Sequence, residues 1–397
     1  MAALLSLEEA QQRILERVVP LPLERVELAA AAGRILAEPA VARVDLPPFD
    51  ASAMDGFAIR AEDTPGRLPV VERIAAGRPA SRDLETGEAM AIATGAAVPP
   101  GADAVIPLEY VVERDNAIEI VDRVEVGANV RPRGGDLRAG DGVVPAGVRL
   151  GPAQLGALAA AGIADISSAR RPRVAVLSTG SELRRPGEPL EPGQIYEANG
   201  VLLAAQLASA GADVEQLAAV EDDAHAHRAA LERGLAADVL VSSGGVSVGP
   251  HDLVRAVGAE LGVEEVLWGV AVKPGKPLWF GVRGSTLCFG LPGNPVSSLV
   301  CFELFVRPAV LALQAAAEPL PRFEPGRLAA SVRPNAHRTE LVRARSRVVD
   351  GAVELEVLKG QDSHMIARAA GADVLVLVPA GEEELPPGAA VSFLRLA

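Results

Sequence analysis

The sequence predicts a multidomain protein of the α/β plus β class, organised around an open, mostly parallel sheet. Three observations predict it. Between Arg173 and Gly262 a buried apolar run, a loop and a helical pattern follow one another several times, the signature of parallel strands with helices on both faces. Between Arg43 and about residue 140 the texture is short β-branched runs broken by Pro and Gly. From Arg322 onward alternating strand patterns return.

Ser6 followed by Glu9 is a capping box, and Leu7, Ala10, Ile14 and Val18 recur on one face, which predicts a first helix. VELAAAAGRILA, 26–37, predicts a second that closes before Pro39. The β-rich module, 43–140, follows through VVERIAAG, AMAIATGAAVPPGADAVIP and AIEIVDRVEVG. Helical character returns in GPAQLGALAAAGI. The β module is therefore expected as an insertion into one discontinuous helical linker domain, 1–42 and 141–170. In the α/β domain, 171–321, the runs RVAVLS, DVEQLAAV and ADVLVSS are predicted strands. NGVLLAAQLASAG, DAHAHRAALERGLA and DLVRAVGAELG are the helices between and after them. The last segment, 322–397, carries AVELEVL, ADVLVLVPA and a PPG turn, and is expected as a separate small β domain.

Composition narrows the function. The 397 residues are 49% hydrophobic and 23% charged, an ordinary globular balance. A net charge of −14 argues against general nucleic-acid or anionic-membrane binding, and 3% aromatics leaves little for stacking along single strands. No apolar run reaches membrane-spanning length, and MAALLSLEEAQQ lacks the basic start and cleavage pattern of a secretory signal. Cys288 and Cys301 form neither a disulfide framework nor a metal spacing, so a reduced, cytoplasmic protein is expected.

Three loops at strand ends stand out as anion sites. STGSEL, Ser178–Leu183, places hydroxyls and Glu182 after the first strand of the α/β domain. SSGGVSVGPHD offers Ser242, Gly244, Gly245 and Ser247, with glycines that let backbone N–H groups turn inward as a nest. In LPGNPVSS, Asn294 can cap a helix with Pro295 at its first position and Ser297 in its first turn. Glycine-rich turns after strands are common structural devices, so each loop alone is weak. The neighbouring KPGKP adds weight: of 38 basic residues only Lys273, Lys276 and Lys359 are lysine, and two of the three stand here. A compact ammonium suits an oxyanion where a broad guanidinium does not. Glu182 and Asp252 would repel such an anion unless a hard cation such as magnesium intervenes. Asp222 or Asp223 serves equally as a helix N-cap. No Ser–His–Asp relay is legible, and His225 and His227 are expected to be solvated. Arg343, Arg345 and Arg347 alternate along LVRARSR; Arg338 or Arg343 is expected to face the anion, the others water.

SSGGVSVGPHD, KPGKP and LPGNPVSS, in this order, resemble the MoeA family, the molybdopterin molybdenumtransferases, related to the E domain of gephyrin. FDASAMDGFA, TGAAVPPGADAV, RPRGGDLRAGD and GQDSH extend the resemblance over essentially the whole chain. It departs at Ala51, Gly135 and Ser181, where the family often carries asparagine, glutamate and aspartate. The resemblance implies an elongated homodimer with a MogA-like α/β domain, an inserted β-rich domain, a helical linker domain and a C-terminal β-barrel. It implies insertion of molybdate into adenylylated molybdopterin with release of AMP, Mg2+ as cofactor, and other proteins of molybdenum cofactor biosynthesis as candidate partners. By position it assigns Asp55, Thr94, Asp136, Glu182, Asp222 and Asp252 to catalysis. It assigns Lys273, Lys276, Pro292, Pro295 and Ser363 to substrate binding, with Glu182 and Asp252 as metal ligands. A MogA-type adenylyltransferase and a gephyrin-like scaffold are the alternatives; SAMDG and the terminal β domain argue against the first, the lack of a disordered linker against the second.

Overall fold

The computed structural model describes residues 4–221, 223–245 and 253–396. Its central sheet holds six strands in the spatial order Asp213–Gln216, Arg173–Ser178, Val239–Ser243, Thr286–Leu291, Trp279–Arg283, Glu264–Trp268. The first four run parallel. Trp279–Arg283 runs antiparallel to both neighbours, so the sheet is mostly parallel, as its apolar runs predict. The register aligns Val174 with Val239 and Val239 with Leu287, so branched side chains stack across the sheet.

Strand alternation sends these residues to two separate cores. Val174, Val176, Val239, Val241, Leu287 and Phe289 pack on one face with Leu203 and Leu207 of the helix Asn199–Ser209. Ala175, Leu177, Leu240 and Cys288 pack on the other with Leu231, Val254 and Val257, from Ala224–Gly234 and Leu253–Glu260. Each fully buried branched side chain contributes about 1.5–3 kcal/mol relative to exposure, so two-sided burial makes the sheet a rigid platform.

The helix Leu7–Leu15 is capped as expected, with Glu9 N–H donating to Ser6 Oγ at 3.1 Å and Ser6 N–H to Glu9 Oε2 at 2.9 Å. Its buried face of Leu7, Ala10 and Ile14 joins the α/β core, and Gln11 Nε2 donates to the Leu304 carbonyl at 2.9 Å. It therefore packs away from the helix Pro152–Ala160, with which a linker domain was expected to unite it. The second expected helix is absent. Leu23–Glu27 is a strand paired antiparallel with Asp165–Ala169, followed by a single 3-10 turn, Leu28–Ala30. Alanine favours helix locally, but Val26 finds a partner in Ile166, and that tertiary pairing overrides propensity.

The inserted module is a six-stranded sheet in the order Ala104–Pro107, Gly56–Ile59, Ala89–Ile92, Gly66–Ile74, Ala117–Ile120, Val112–Arg114. At the C-terminus Thr339–Val349 pairs with both Ala352–Val357 and Val374–Val378. Ala390–Arg395 and Glu324–Leu328 complete the ring, a closed five-stranded barrel. A sixth, two-residue strand, Val272–Lys273, leaves the α/β domain and lies parallel to Thr339–Glu340 on the barrel. Its neighbour Ala271 accepts from Thr339 N–H at 3.0 Å and donates to the Leu5 carbonyl at 2.8 Å.

Contrary to the expectation that no apolar run reaches membrane-spanning length, Pro295–Leu313, 19 residues, is long and apolar enough to cross a membrane. Here it is a core element, with Phe302, Phe305, Val306 and Val310 fully buried. A π-helical turn, Phe302–Val306, interrupts it and carries the buried Glu303, which is paired with Arg307 Nε at 2.6 Å. Cys288 and Cys301 are unpaired, and burial pushes both thiols up to about 12.

Candidate active site

A cleft of about 530 Å³ opens at the carboxyl ends of Arg173–Ser178, Val239–Ser243 and Thr286–Leu291. Ligands of parallel α/β sheets bind at this edge because the loops there diverge. Ser178, Thr179, Glu182 and Leu183 form one wall, Ile195 to Asn199 a second, and Ser243 with Gly293 to Pro295 the floor. The barrel closes the remaining side with His364 and Ile366.

Hydrogen bonds hold this cleft together. Thr179 N–H donates to the Ser243 carbonyl at 3.0 Å, joining the first two strand ends. Asn199 Nδ2 donates to Ser243 Oγ and to the Gly293 carbonyl, both at 2.7 Å, tying in the third. Gly244 and Gly245 lie at φ +92° and +66°. A Cβ on Gly244 would stand 2.6 Å from Thr179 Oγ1, so only glycine lets the two loops meet. Ser242 is buried, its hydroxyl donating to the Phe289 carbonyl at 3.3 Å, and does not line the cleft. Ser247, Asp252 and Asp222 lie outside the described residues. Asp223 is the N-cap of Ala224–Gly234, accepting from Ala226 N–H at 2.8 Å.

The helix end at Asn294 is covered rather than open. Asn294 stands at the N-cap, but its side chain donates to Ser363 Oγ at 2.9 Å instead of capping. The first free helix amide, on Val296, donates to the Ser363 carbonyl at 3.0 Å. Pro295 has no N–H, Ser297 is buried, and the Pro292 carbonyl accepts from Ser298 Oγ at 2.7 Å. Ser363 thus locks the barrel loop onto this helix. At the second helix, Glu197 Oε1 accepts from Gly200 N–H at 2.6 Å and from Ser178 Oγ at 2.9 Å, where an incoming anion would otherwise sit.

Several assigned residues stand elsewhere. Neither lysine of KPGKP lines the cleft. Their loop packs on Cys301, whose Sγ lies 3.6 Å from the Gly275 carbonyl. Cys301 is six positions along the helix from Pro295, roughly 9 Å along its axis. Lys273 Nζ pairs with Glu340 Oε1 of the barrel at 2.8 Å. Lys276 is exposed, without an ion pair among the described residues. Arg343 does not face an anion: it is 1% exposed, and its guanidinium donates to the Gln361 side chain and to the carbonyls of Gly360, Asp362 and Met365. Arg338 is half-buried, with its backbone N–H on Asn335 Oδ1 at 3.0 Å. Arg345 and Arg347 are exposed. His227 is fully buried, not solvated, with Nδ1 3.0 Å from the Asp223 carbonyl.

Asp55, Thr94 and Asp136 stand on loops of the inserted module, all exposed. Thr94 N–H donates to Asp55 Oδ1 at 2.8 Å, and Asp136 N–H to the Leu46 carbonyl at 2.9 Å. Asp45 braces the same loops: the Ala139 N–H, then Arg133, hold its carboxyl below the usual range. Among the described residues no hydrogen bond or ion pair links this group to the cleft.

Glu182 is exposed at the cleft wall, and among the described residues only its backbone carbonyl is bonded, to Ile195 N–H at 3.0 Å. Among the described residues no three acidic, histidine or cysteine side chains form a metal cluster. One free carboxylate fits magnesium, which binds through one or two carboxylates plus substrate phosphate and keeps water as its other ligands. Thr179 was covered by the hydroxyls of STGSEL, but the sequence reading missed Tyr196, Glu197, Asn199 and His364. An acid two residues before Asn199 at a helix start, and a histidine beside Ser363, were the available signals.

Three family models match in tandem. The MoeA N-terminal region (domain I and II) covers residues 5–162, a probable molybdopterin binding domain 175–312, and the MoeA C-terminal region (domain IV) 325–396. The chain is 38% identical over 399 residues to Molybdopterin molybdenumtransferase 2 of Mycobacterium tuberculosis, covering 96% of this chain and 97% of that protein. It is 36% identical over 386 residues to Molybdopterin molybdenumtransferase of Nostoc sp., covering 94% and 88%. The crystal structure of a molybdopterin biosynthesis MoeA protein from Pyrococcus horikoshii superposes with a TM-score of 0.84 at 28% identity, over 99% of this chain and 100% of that one.

Proposed function

This chain belongs to the MoeA family, and from that premise we propose that its cleft is where molybdate enters adenylylated molybdopterin and AMP leaves. It is an enzyme, a transferase of molybdenum cofactor biosynthesis. The observation that carries the site assignment is the cleft itself, a polar pocket at the carboxyl edge of the matched molybdopterin-binding region. A MogA-type adenylyltransferase would need only the α/β unit, whereas the matched N- and C-terminal regions flank it here. The unpaired, buried Cys288 and Cys301 support a cytoplasmic location.

His364 offers a ring nitrogen to phosphate and adenylyl oxygens. Thr179, Ser243 and Asn199, whose donors are spent on one another, on Ser298 and on Gly293, hold the cleft in shape. Magnesium, held by Glu182 and by Asp252, would supply charge neutralisation between carboxylate and phosphate. Incubation with molybdate and adenylylated molybdopterin should therefore release AMP only with a divalent ion present. Undiminished release in excess chelator would remove Glu182 from the metal role.

The lysine loop is the proposed molybdate contact, with Lys276 free to meet the dianion and Lys273 steadied by Glu340. Lys276→Ala should lower molybdate-dependent turnover about tenfold to a hundredfold, the cost of one charged hydrogen bond. Lys276→Arg should not rescue it, because the wider planar group does not replace ammonium. Asp55, Thr94 and Asp136 stand outside the cleft lining, which supports a homodimer whose partner copy brings them to the site. In verified heterodimers, Lys276→Ala mixed with Asp55→Asn should regain part of the lost turnover. No regain would place all these residues in one subunit's site.

A further inference from the structure

At its mouth the polar cleft acquires an apolar rim. The two-residue strands Leu183–Arg184 and Ile195–Tyr196 pair in parallel, and Leu183, Ile195 and Tyr196 all line the opening. Ile366 joins them from the barrel. Ile195 is 54% exposed and Tyr196 46%. The phenol is tethered, its hydroxyl donating to the Glu188 carbonyl at 3.0 Å. The whole chain has two tyrosines, and Tyr196 is the one Phe, Tyr or Trp among the described residues that lines the cleft, where the other ring is the imidazole of His364.

An isolated exposed tyrosine needs no explanation. A tethered ring on a concave wall, beside exposed isoleucine and at the mouth of a cleft that also holds Ser178, Thr179 and Ser243, is a different object. Its apolar face is hydrated until something flat covers it, and covering it releases that water. With the hydroxyl already fixed, the ring loses little conformational freedom when it is covered.

We infer that Tyr196 is a stacking platform for a fused heteroaromatic ring of the substrate, and that the Ile195–Tyr196 rim selects for that ring. The inference rests on the molybdenum-insertion reading above, whose substrate carries two such rings, adenine and pterin. Stacking needs only a π-face, so both rings share the chemistry and binding measurements tell them apart.

The test is equilibrium binding to the full-length protein, by calorimetry, of AMP, ribose 5-phosphate and 6-hydroxymethylpterin. Wild type should bind AMP at least about tenfold more tightly than ribose 5-phosphate. Tyr196→Leu should weaken AMP by about tenfold to a hundredfold and leave ribose 5-phosphate unchanged. Tyr196→Phe keeps the ring, loses only the tether, and should lose about threefold or less; it serves as the control should the leucine variant melt early. If 6-hydroxymethylpterin rather than AMP depends on Tyr196, the platform stands with pterin as its ring. If Tyr196→Leu binds all three like wild type, the platform is wrong. Turnover separates this idea from the reading beneath it. Ring discrimination without molybdenum insertion keeps the platform and sinks the transferase assignment; insertion without discrimination does the reverse.

Discussion

Arg343→Ala is expected to lower the unfolding free energy by about 3 kcal/mol or more and to cost most of the activity, although Arg343 lines no part of the cleft. The side chain is one of the largest in the interior at 1% exposure. Its Nε reaches Gln361 Oε1 at 3.2 Å, Nη1 the Met365 carbonyl at 2.9 Å, and Nη2 the carbonyls of Gly360 and Asp362 at 2.9 and 3.1 Å. Gln361 answers by donating to the Arg343 and Leu358 carbonyls at 2.9 and 2.8 Å. These bonds fold the segment that presents Ser363 to Asn294 and His364 to the cleft. Burial, then Arg368, pull the guanidinium pKa down while Asp362 opposes them; a group so far above neutral stays charged.

Removing it strands several buried acceptors, each costing about 1–3 kcal/mol, and opens a void. Arg343→Lys should fall between, because one ammonium cannot span carbonyls that a planar fork reaches together. Urea unfolding with a substrate KM measurement decides it. A variant with wild-type stability and KM would mean the barrel loop holds its shape without this clamp.

Gly56→Ala is the second change expected to be severe. Gly56 follows Asp55 and lies in the strand Gly56–Ile59, between Ala89–Ile92 and Ala104–Pro107. A Cβ there would overlap the Ile106 carbonyl oxygen and stand 2.9 Å from its carbon and 3.0 Å from Pro107 Cα. Backbone cannot swing aside as a side chain can, so the strands must part. Steric strain of this kind costs typically about 1–3 kcal/mol. The motion would also drag Asp55 off the Thr94 amide. Hydrogen exchange should show lost protection across 56–59 and 104–107, and turnover should fall with it. Native exchange in this segment would mean that the pair of strands yields more easily than its contacts imply.

The sequence disclosed what repeats locally. Buried runs such as RVAVLS and ADVLVSS could only be interior strands, and Ser6 with Glu9 announced its helix. What local pattern could not show was choice of partner. VELAAAAGRILA reads as helix until Val26 meets Ile166. Arg343 was expected, as an alternative to Arg338, to face the anion, and only the barrel's closure turned it inward. Asn294 was legible as a cap position, but its side chain was drawn to Ser363, distant in sequence. His227 sits in a polar stretch whose helix happens to turn it to the interior. In the site, the strand-end loops were visible because glycine and hydroxyls punctuate them. The wall contributed by Tyr196, Glu197 and His364 was not, since no spacing ties those residues together.

The short strand Val272–Lys273 has a consequence for how the protein is made. Ala271 is bonded on one side to Leu5, near the start of the chain, and on the other to Thr339, near its end. On a ribosome the six strands of the α/β sheet have all been synthesised once Leu291 is added. The lysine loop still lacks its outer neighbour then, because Thr339 and Glu340 are yet to come. A nascent chain arrested before residue 339 should hold a folded sheet with an unfinished lysine loop. Completion of the lysine loop is thereby deferred until the barrel emerges and Thr339 and Glu340 pair with it.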